Sequence, residues 1–283
     1  MNILILSDLH YIKDHKPSTS KRNALKRLAK KSEFDLVLLC GDNAELVKDY
    51  INHIELFEFL RDTFDCQIGF ILGNHDLWGK EFGISSYDLL YDVFPEISYK
   101  LGLTYLETTN IIKDDWNIVG TYGHYDYSLA NKGKIVTQKA IENMFIVIDD
   151  KRLGWNDKRC MYWGGKKDKE VCNELVSNLE ERINDQDGKL ILITHGVPTY
   201  KLIGYPRSLK NDFLAAYSGS KRFAELCEKY PFEYYFFGHT HAHIEGKIGK
   251  AKAINIGSDY DNLSYYVLET NSDKYFGFHV NFI

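Results

Sequence analysis

The sequence is poor in the features that mark secreted, membrane-bound and nucleic-acid-binding proteins. Only five of its 283 residues are cysteine, an odd number with no Cys-x-x-Cys pair, which disfavours both a disulfide framework and a thiolate zinc site. Positive charge is not in excess, because 35 Lys and Arg stand against 40 Asp and Glu and the formal net charge is −5. Bulk electrostatics therefore do not favour nucleic acid or an anionic membrane as a partner.

Long apolar runs are absent as well. No segment approaches the roughly 20 apolar residues of a membrane span. The apolar stretch near Met1 is too short for a signal peptide and has no charged region before it. Together with scattered cysteines that we interpret as reduced thiols, these features predict a cytoplasmic protein with no membrane partner. With 44% hydrophobic residues, the chain can nevertheless bury a substantial core.

Short apolar strands alternate with amphipathic helices along the chain. Strands are predicted at 2–6, 36–40 and 67–72, with helices at 19–31 and 50–62 between them. Such β-α-β units imply a parallel sheet with right-handed crossovers, so periodicity alone predicts an α/β fold. Further helices are predicted at 87–93, 169–182 and 221–229, and further strands at 104–106, 117–119, 190–193, 234–237, 252–256, 264–269 and 275–281.

Five of the predicted strands end in oxygen or nitrogen donors. Ligands of open α/β sheets bind in the crevice outside the carboxyl ends of the strands, so these residues are candidates for one shared site. They carry carboxylate, amide and imidazole groups but no thiolate, a set that suits Mn, Fe, Zn or Ni better than Ca. Seven such ligands exceed one ordinary site and suit two divalent metal ions about 3.5–4 Å apart, bridged by a carboxylate and a hydroxide. The seven are Asp8, His10, Asp42, Asn74, His195, His239 and His241.

Taken singly, these residues also have ordinary structural explanations. Asp8 and Asp42 could cap helices, Asn74 could occupy a left-handed turn, and a lone histidine at a strand end is commonly a structural residue. Their joint occurrence at five strand ends favours metal binding. His53 lies in a predicted amphipathic helix and the charged run 21–31 lies in another, so we expect both on solvated helix faces; His243 falls outside the pattern and is expected at the rim of the site.

The order of these blocks carries a family resemblance. Asp-x-His, Gly-Asp, Gly-Asn-His-Asp, a single His after a strand and Gly-His-Thr-His follow one another over residues 8–241. This series resembles the calcineurin-like metallophosphoesterase superfamily. The segments 41–45 and 255–258 also fit its Gly-Asp-x-x-Asp/Glu and Asn-x-Gly-Ser forms. The implied fold has two packed mixed β-sheets flanked by helices, a four-layer αββα sandwich, in a single domain over residues 1–283.

The resemblance also implies a role for each donor. Asp8, His10 and His241 would hold the first metal ion; Asn74, His195 and His239 would hold the second, and Asp42 would bridge them. His75 resembles the family's catalytic histidine, Asp76 would orient its ring, and Glu45 would stand behind the ligands.

The implied reaction is hydrolysis of a small-molecule or nucleotide phosphate ester, either a monoester or a small diester. A metal-bridging hydroxide would attack phosphorus in line, and His75 would protonate the leaving oxygen. The alternatives are a nuclease related to repair exonucleases, which the acidic balance does not favour, and a non-catalytic scaffold such as the superfamily's retromer subunit. The complete ligand set argues against a scaffold.

Residues 120–168 are polar and aromatic, and we expect them to form an insertion that serves as a lid or pocket wall. Within it, His124 and Tyr125 could contact the leaving group by stacking or hydrogen bonding, with structural packing as the alternative. Farther along, Arg207 could hold a second phosphate or a nucleotide tail, with simple solvation as the alternative.

Overall fold

In a computed structural model, which describes residues 1–184, 188–272 and 274–280, the strands form two six-stranded sheets and one hairpin. The strands are β1 (Asn2–Leu6), β2 (Leu36–Cys40), β3 (Gln67–Ile71), β4 (Thr104–Tyr105), β5 (Ile111–Lys113), β6 (Trp116–Thr121), β7 (Phe145–Ile148), β8 (Lys151–Gly154), β9 (Lys189–Thr194), β10 (Phe232–Phe237), β11 (Ile244–Ile248), β12 (Ala251–Asn255), β13 (Leu263–Glu269) and β14 (Lys274–Val280). The helices are α1 (Lys16–Ala29), α2 (Ile51–Thr63), α3 (Ser86–Asp88), α4 (Phe94–Leu101), α5 (Gln138–Glu142), α6 (Asp157–Cys160), α7 (Asp168–Asn184), α8 (Leu209–Leu214) and α9 (Lys221–Lys229).

The two six-stranded sheets each combine parallel strands with antiparallel ones, which lie at one edge of the first sheet and at both edges of the second. The first has the order β14-β13-β1-β2-β3-β4, in which β1 to β4 are parallel and β13 and β14 are antiparallel. The second has the order β11-β12-β10-β9-β6-β5, in which β12, β10, β9 and β6 are parallel. The predicted α/β fold with two mixed sheets flanked by helices is confirmed.

The central strands are apolar along most of their length because both of their faces are covered. In β1, Leu4 and Leu6 belong to the core beneath the helices of the first sheet, whereas Ile3 and Ile5 belong to the core between the two sheets. That second core also contains Ile191 of β9, so the sheets pack face to face. A strand buried on both sides has no polar alternation, which explains the short continuous apolar runs of the sequence.

Most predicted elements occur within a few residues of their expected bounds, and two departures involve proline. Helix α1 begins at Lys16 instead of residue 19, with Pro17 in its first turn, where a missing N–H costs nothing. The helix expected at 87–93 continues to Leu101 through a π-helical turn, Leu89–Val93, and then α4, whose first turn contains Pro95. Strand β14 matches the strand expected at 275–281, of which Asn281 lies outside the described residues.

Two predictions about exposed polar residues were wrong. His53 is fully buried, because it lies on the same helical stripe as Leu56, Phe57 and Leu60, which form the buried face of α2. Lys21 is only 3% exposed, and its ammonium donates hydrogen bonds to the Leu9 and Asp259 carbonyls. A long side chain can place its charged end under a neighbouring loop even when its helix face looks polar in sequence.

The segment after β6 has a small core of its own. It contains the antiparallel β7–β8 hairpin, α5 and α6, and it packs against α8 and the turn that follows. The buried residues of this core are Tyr125, Tyr127, Val136, Ile141, Met144, Ile146, Phe213, Ala216 and Tyr217. Separately, none of the helices in the described part of the chain has the length and apolar character needed to cross a membrane.

Candidate metal centre

The predicted donors converge because the loops after the strands are hydrogen-bonded to one another. The N–H of Asp8 donates to the Gly41 carbonyl at 3.0 Å, and the N–H of His10 donates to the Asp42 carbonyl at 3.0 Å, so the loops after β1 and β2 run side by side. The N–H of His239, which follows β10, donates to Asp8 Oδ1 at 2.9 Å. This last bond joins the two sheets at the edge where their parallel strands end.

Five of the seven predicted ligands have a left-handed backbone. The φ angles are +53° at Asp8, +44° at His10, +47° at Asp42, +72° at His239 and +53° at His241. Residues with a Cβ rarely adopt this conformation, which costs about 1–3 kcal/mol each and persists only where the surroundings enforce it. Strain concentrated at consecutive strand ends is typical of a functional site.

The first three donors form one cluster, which we call the first metal position: Asp8, His10 and His241. The Nε2 atoms of His10 and His241 lie 3.1 Å apart, and His241 Nε2 lies 3.6 Å from Asp8 Oδ1. All three side chains therefore direct one donor atom to a common point between them.

The second metal position consists of Asn74, His195 and His239. Asn74 Oδ1 lies 3.2 Å from His195 Nε2 and 3.0 Å from His239 Nδ1, and these two nitrogens lie 3.1 Å apart. Asp42 stands between the two positions, since its Oδ2 is 3.3 Å from His195 Nε2 and 3.7 Å from His10 Nε2. The structure thus brings together the residues of the two expected ligand sets and places Asp42 between them.

The donor set fits two divalent cations. Atoms bound to one ion at about 2.1 Å lie roughly 3 Å from one another, which is the spacing of the donor atoms within each position. Asp8 Oδ2 is buried without a hydrogen-bond partner among the described residues, and a buried carboxylate oxygen without a partner is costly unless a cation meets it. The imidazole, amide and carboxylate groups suit a borderline metal such as Mn, Fe, Zn or Ni.

Burial and the charges within the cluster shift the pKa values of His239, His195 and Asp42. Burial and the neighbouring His195 hold the pKa of His239 well below its ordinary value, which keeps this ring in the neutral form that binds metal. Burial opposes the charged form of His195 too, but the Asp42 carboxylate outweighs burial and raises the pKa of His195 to about 9. Burial also acts on Asp42, yet His195 and His75 outweigh it and hold the pKa of this carboxyl well below its usual range.

Two glycines of the motifs leave the space that these carboxylates occupy. A Cβ on Gly73 would lie 2.1 Å from Asp42 Oδ1, and a Cβ on Gly238 would lie 2.2 Å from Asp8 Oδ2. Both distances are shorter than any van der Waals contact. A Cβ on Gly238 would also lie 1.9 Å from Ser7 Oγ, so glycine is required at both positions by the close approach of neighbouring side chains, those of Asp42 and Asp8 among them.

His75 lies beside the bridging carboxylate, and Glu45 holds its ring. The N–H of His75 donates to Asp42 Oδ1 at 2.9 Å, and His75 Nδ1 is 2.9 Å from Glu45 Oε2. The same Glu45 carboxylate contacts His10 Nδ1 at 2.9 Å. Burial alone would lower the pKa of His75, but Asp42 and Glu45 outweigh it and raise this pKa to about 9.

Asp76 does not have the expected contact with the His75 ring. Its carboxylate accepts hydrogen bonds from the N–H groups of Gly73, Asn43 and Ala44 at 2.7, 3.0 and 3.1 Å, and it lies 2.8 Å from His53 Nε2. The 3₁₀ turn His75–Leu77 sends adjacent side chains in different directions, which separates the two residues. Asp76 and His53 instead hold together the loops that carry Asp42 and Asn74. The place of His53 on the apolar stripe of α2 could have indicated from the sequence that it is buried near these loops.

A cleft of about 230 Å³ opens onto the two metal positions. Besides metal ligands and His75, its walls consist of Trp78, Trp155, Asn156, Tyr205 and Tyr260. The sequence singled out none of these as a site residue. Trp155 and Asn156 come from the predicted insertion, so part of it does form a pocket wall.

The three predicted substrate contacts lie elsewhere. His124 and Tyr125 are 1% and 3% exposed; His124 Nε2 bonds to Asp168 at 2.9 Å and Tyr125 belongs to the core of the insertion. Structural packing, the alternative considered for this segment, is what holds them. Arg207 pairs with Asp212 at 3.1 Å and does not line the cleft. These placements correct the expectation that the three residues face a substrate.

Comparison with known proteins agrees with the fold and the motifs. Residues 1–243 match the family model of the calcineurin-like phosphoesterases. By structure, the chain resembles phosphopantetheinyl hydrolase from Mycobacterium tuberculosis, with TM-score 0.69, 18% identity, and coverage of 92% of this chain and 90% of that one. It also resembles TT1561 of Thermus thermophilus, with TM-score 0.57, 14% identity, and coverage of 99% and 98%.

A sequence search of curated proteins finds no match. At such low identities the two structural likenesses bear on the fold alone. The family match is different in kind, since it extends from Met1 to His243 and so includes every donor of the two metal positions. On the strength of that match and of two mixed six-stranded sheets, the chain is a member of the calcineurin-like phosphoesterase family.

Proposed function

We propose that this protein hydrolyses small phosphate esters with the help of two divalent cations held at the first and second metal positions. The observation that carries the proposal is the convergence of seven oxygen and nitrogen donors from five strand ends around Asp42. When bound, the two cations would neutralise charge on the phosphoryl oxygens and activate water as the nucleophile. Mn, Fe, Zn and Ni are the candidate metals.

The protein's own residues supply orientation and a proton. Asp42 would face both cations, and its second oxygen fixes the backbone at His75. Glu45 occupies Nδ1 of His75, so Nε2 is the ring atom that can donate a proton to the leaving oxygen. The hydroxyl of Tyr260 lies 3.3 Å from that Nε2 and marks a place where an oxygen can meet it. General acid catalysis of this kind contributes about 10² to 10⁴ in rate.

The lining of the cleft supports a small substrate with one phosphoryl group. None of the cleft residues in the described part of the chain is Lys or Arg, so no further cationic side chain is placed to neutralise additional phosphates. Aromatic rings dominate the wall instead. A nuclease groove requires basic residues along a phosphate backbone, and the net charge of −5 also disfavours that alternative. We further propose a cytoplasmic location, which the five free cysteines support.

The test is hydrolysis of p-nitrophenyl phosphate and bis(p-nitrophenyl) phosphate with added Mn²⁺ or Ni²⁺, before and after chelation. We expect activity that is lost on chelation, restored by metal and lowered in His75→Ala, by about 10² to 10⁴ for an ester whose alkoxide leaving group needs a proton. A metabolite panel that includes nucleotides and a phosphopantetheinyl compound would then define the substrate. If none of these esters is hydrolysed in a metal-dependent way, the result would support a non-catalytic scaffold instead.

A further inference from the structure

Asp157 is a buried carboxylate that reaches the metal centre from the insertion. It begins α6, is 2% exposed, and accepts hydrogen bonds from three side chains. Asn74 Nδ2 donates to Asp157 Oδ1 at 3.3 Å, Trp78 Nε1 donates to the same oxygen at 2.8 Å, and Trp155 Nε1 donates to Oδ2 at 2.8 Å. One of these partners is a predicted metal ligand, and the other two form walls of the cleft.

The contact with Asn74 determines which end of the amide faces the metal. An Asn side chain can present either its oxygen or its NH₂ group, and only the oxygen binds a cation. A carboxylate accepts hydrogen bonds but cannot donate them, so Asp157 fixes the NH₂ group of Asn74 on its own side. The Asn74 oxygen then faces His195 and His239, as the second metal position requires.

The contacts with the two indoles set the shape of the cleft. Because the N–H of Trp78 and the N–H of Trp155 both point to Asp157, the carbon faces of the two rings are left to line the opening. Trp78 also stacks on His75, with ring centroids 3.7 Å apart. Asp157 therefore contacts three parts of the site. Asn74 is a predicted metal ligand, Trp78 stacks on the proposed general acid His75, and Trp155 belongs to the wall contributed by the insertion.

We propose that Asp157 is the positioning residue of the second metal position, which it holds in the binding orientation through Asn74 while it aligns the two tryptophans of the cleft. The inference rests on the proposed function, because it presupposes that cations bind at these residues. It assigns to the insertion a part in metal binding as well as in the wall of the cleft.

The experiment is calorimetric titration of chelator-treated protein with Mn²⁺, in the wild type and in Asp157→Leu. Leucine is close to aspartate in size but has no hydrogen-bond acceptor, so Asn74 loses the contact that orients its amide, and we expect one of the two ions to bind about 10 to 100 times more weakly while the other is unchanged. Tryptophan emission should shift to longer wavelength, since two of the four tryptophans lose their acceptor. Asp168→Leu is the matched control, because Asp168 is a carboxylate of the same region that contacts His124 and no metal ligand.

Exchanging the two side chains of residues 74 and 157 distinguishes the orientation of the metal-binding group at residue 74 from the packing of the cleft. In the double variant Asn74→Asp with Asp157→Asn, residue 74 is a carboxylate, and either of its oxygens can bind a cation. Residue 157 then supplies the NH₂ group of the hydrogen bond between them. We expect the weakened ion to bind at least about tenfold more tightly than in Asp157→Leu, whereas the emission shift should remain, because the Trp78 N–H still lacks an acceptor. If Asp157→Leu does not fold, recovery of a folded, two-ion protein in the double variant would still support the proposal.

Three results would overturn the inference. These are equal affinity for both ions in Asp157→Leu and wild type, an equal loss in Asp168→Leu, and no recovery in the double variant. A wild-type protein that binds no ion would instead overturn the proposed function and this inference with it.

Discussion

The two metal positions are supported in different ways. At the first position, His10 is held by Glu45, whose side chain is 24% exposed, and the side chain of His241 is 25% exposed. At the second position, His195 Nδ1 contacts the buried Cys40 carbonyl at 3.0 Å, and Asn74 is held by the buried Asp157. The first position is thus adaptable and shares Glu45 with His75, whereas the second is fixed by groups that do not touch His75 through hydrogen bonds.

This difference indicates that metal binding and proton transfer can depend on different residues of one site. A change in Glu45 should disturb the first position and the proposed general acid together, because one carboxylate contacts both rings. A change behind the second position should alter metal affinity without breaking the hydrogen bonds of His75, whose ring it reaches only through the stacked Trp78. Partners that stand behind ligands typically contribute a factor of about 10 to 100 in metal affinity or activity.

Asp42→Asn should have the largest effect, because it removes the one charge that both positions share. The amide oxygen carries no net charge and is a weaker ligand than the carboxylate oxygen that faces both positions, so we expect loss of several kcal/mol of transition-state stabilisation, about 10³-fold or more in kcat/KM. The measurement is metal-dependent ester hydrolysis together with metal content. Near-normal activity in Asp42→Asn would contradict the bridging role.

His75→Ala should follow, with a loss of about 10² to 10⁴ in kcat while both ions remain bound. The reason is that His75 Nε2 carries no predicted metal, so its removal takes away a proton donor and leaves the seven ligands in place. His243→Ala is the control, since His243 contacts Tyr266 and the Ile256 carbonyl outside the cleft. Loss of both ions in His75→Ala would show that the residue acts as a ligand instead.

Glu45→Gln should have an intermediate effect, confined to the first position and to His75. The amide is neutral and holds the His10 and His75 rings less firmly than the carboxylate does, so we expect one ion to bind about 10 to 100 times more weakly and kcat to fall at saturating metal. Glu55→Gln is the matched control, because Glu55 pairs with Lys13 and Tyr11 and contacts no metal ligand. If Glu45→Gln weakened both ions equally, the distinction between the two positions would be lost.

Lys21→Met should have the smallest effect on the site. Its ammonium donates at 2.8 Å to the carbonyl of Leu9, which lies between Asp8 and His10, and at 2.5 Å to the carbonyl of Asp259 beside Tyr260. The variant leaves these carbonyls unpaired, so we expect a loss of about 1–3 kcal/mol in the free energy of unfolding. Urea unfolding measures it, and Arg27→Met, an exposed position of the same helix, should change stability little.

The parts of the molecule that follow from local pattern could be predicted from the sequence. Strands covered on both faces are continuous apolar runs, and parallel strands bring their ends to one edge, so the convergence of Asp8, Asp42 and Asn74 was implied by periodicity and order. The pairing of two sheets came from the family resemblance instead. Periodicity reports burial along one element and carries no information about which sheet a distant strand joins.

The parts that depend on where a side chain points could not be predicted. Asp76 follows His75 directly, yet a 3₁₀ turn sends it to the backbone of the neighbouring loop and leaves Glu45 to hold the ring. Asp157 lies 83 residues from Asn74 in the chain, and no spacing rule connects them. The aromatic residues of the insertion divided between a buried core, with Tyr125, and the wall of the cleft, with Trp155, although they look alike in sequence.

The central claim is that seven donors hold two cations on either side of Asp42. It is tested most directly by crystals of the protein grown with Mn²⁺, from which anomalous difference maps locate each metal ion independently of any assay. We expect two peaks about 3.5–4 Å apart, one among Asp8, His10 and His241 and one among Asn74, His195 and His239, with Asp42 between them. Maps from crystals in Mn²⁺ with no peak at either cluster would contradict the account.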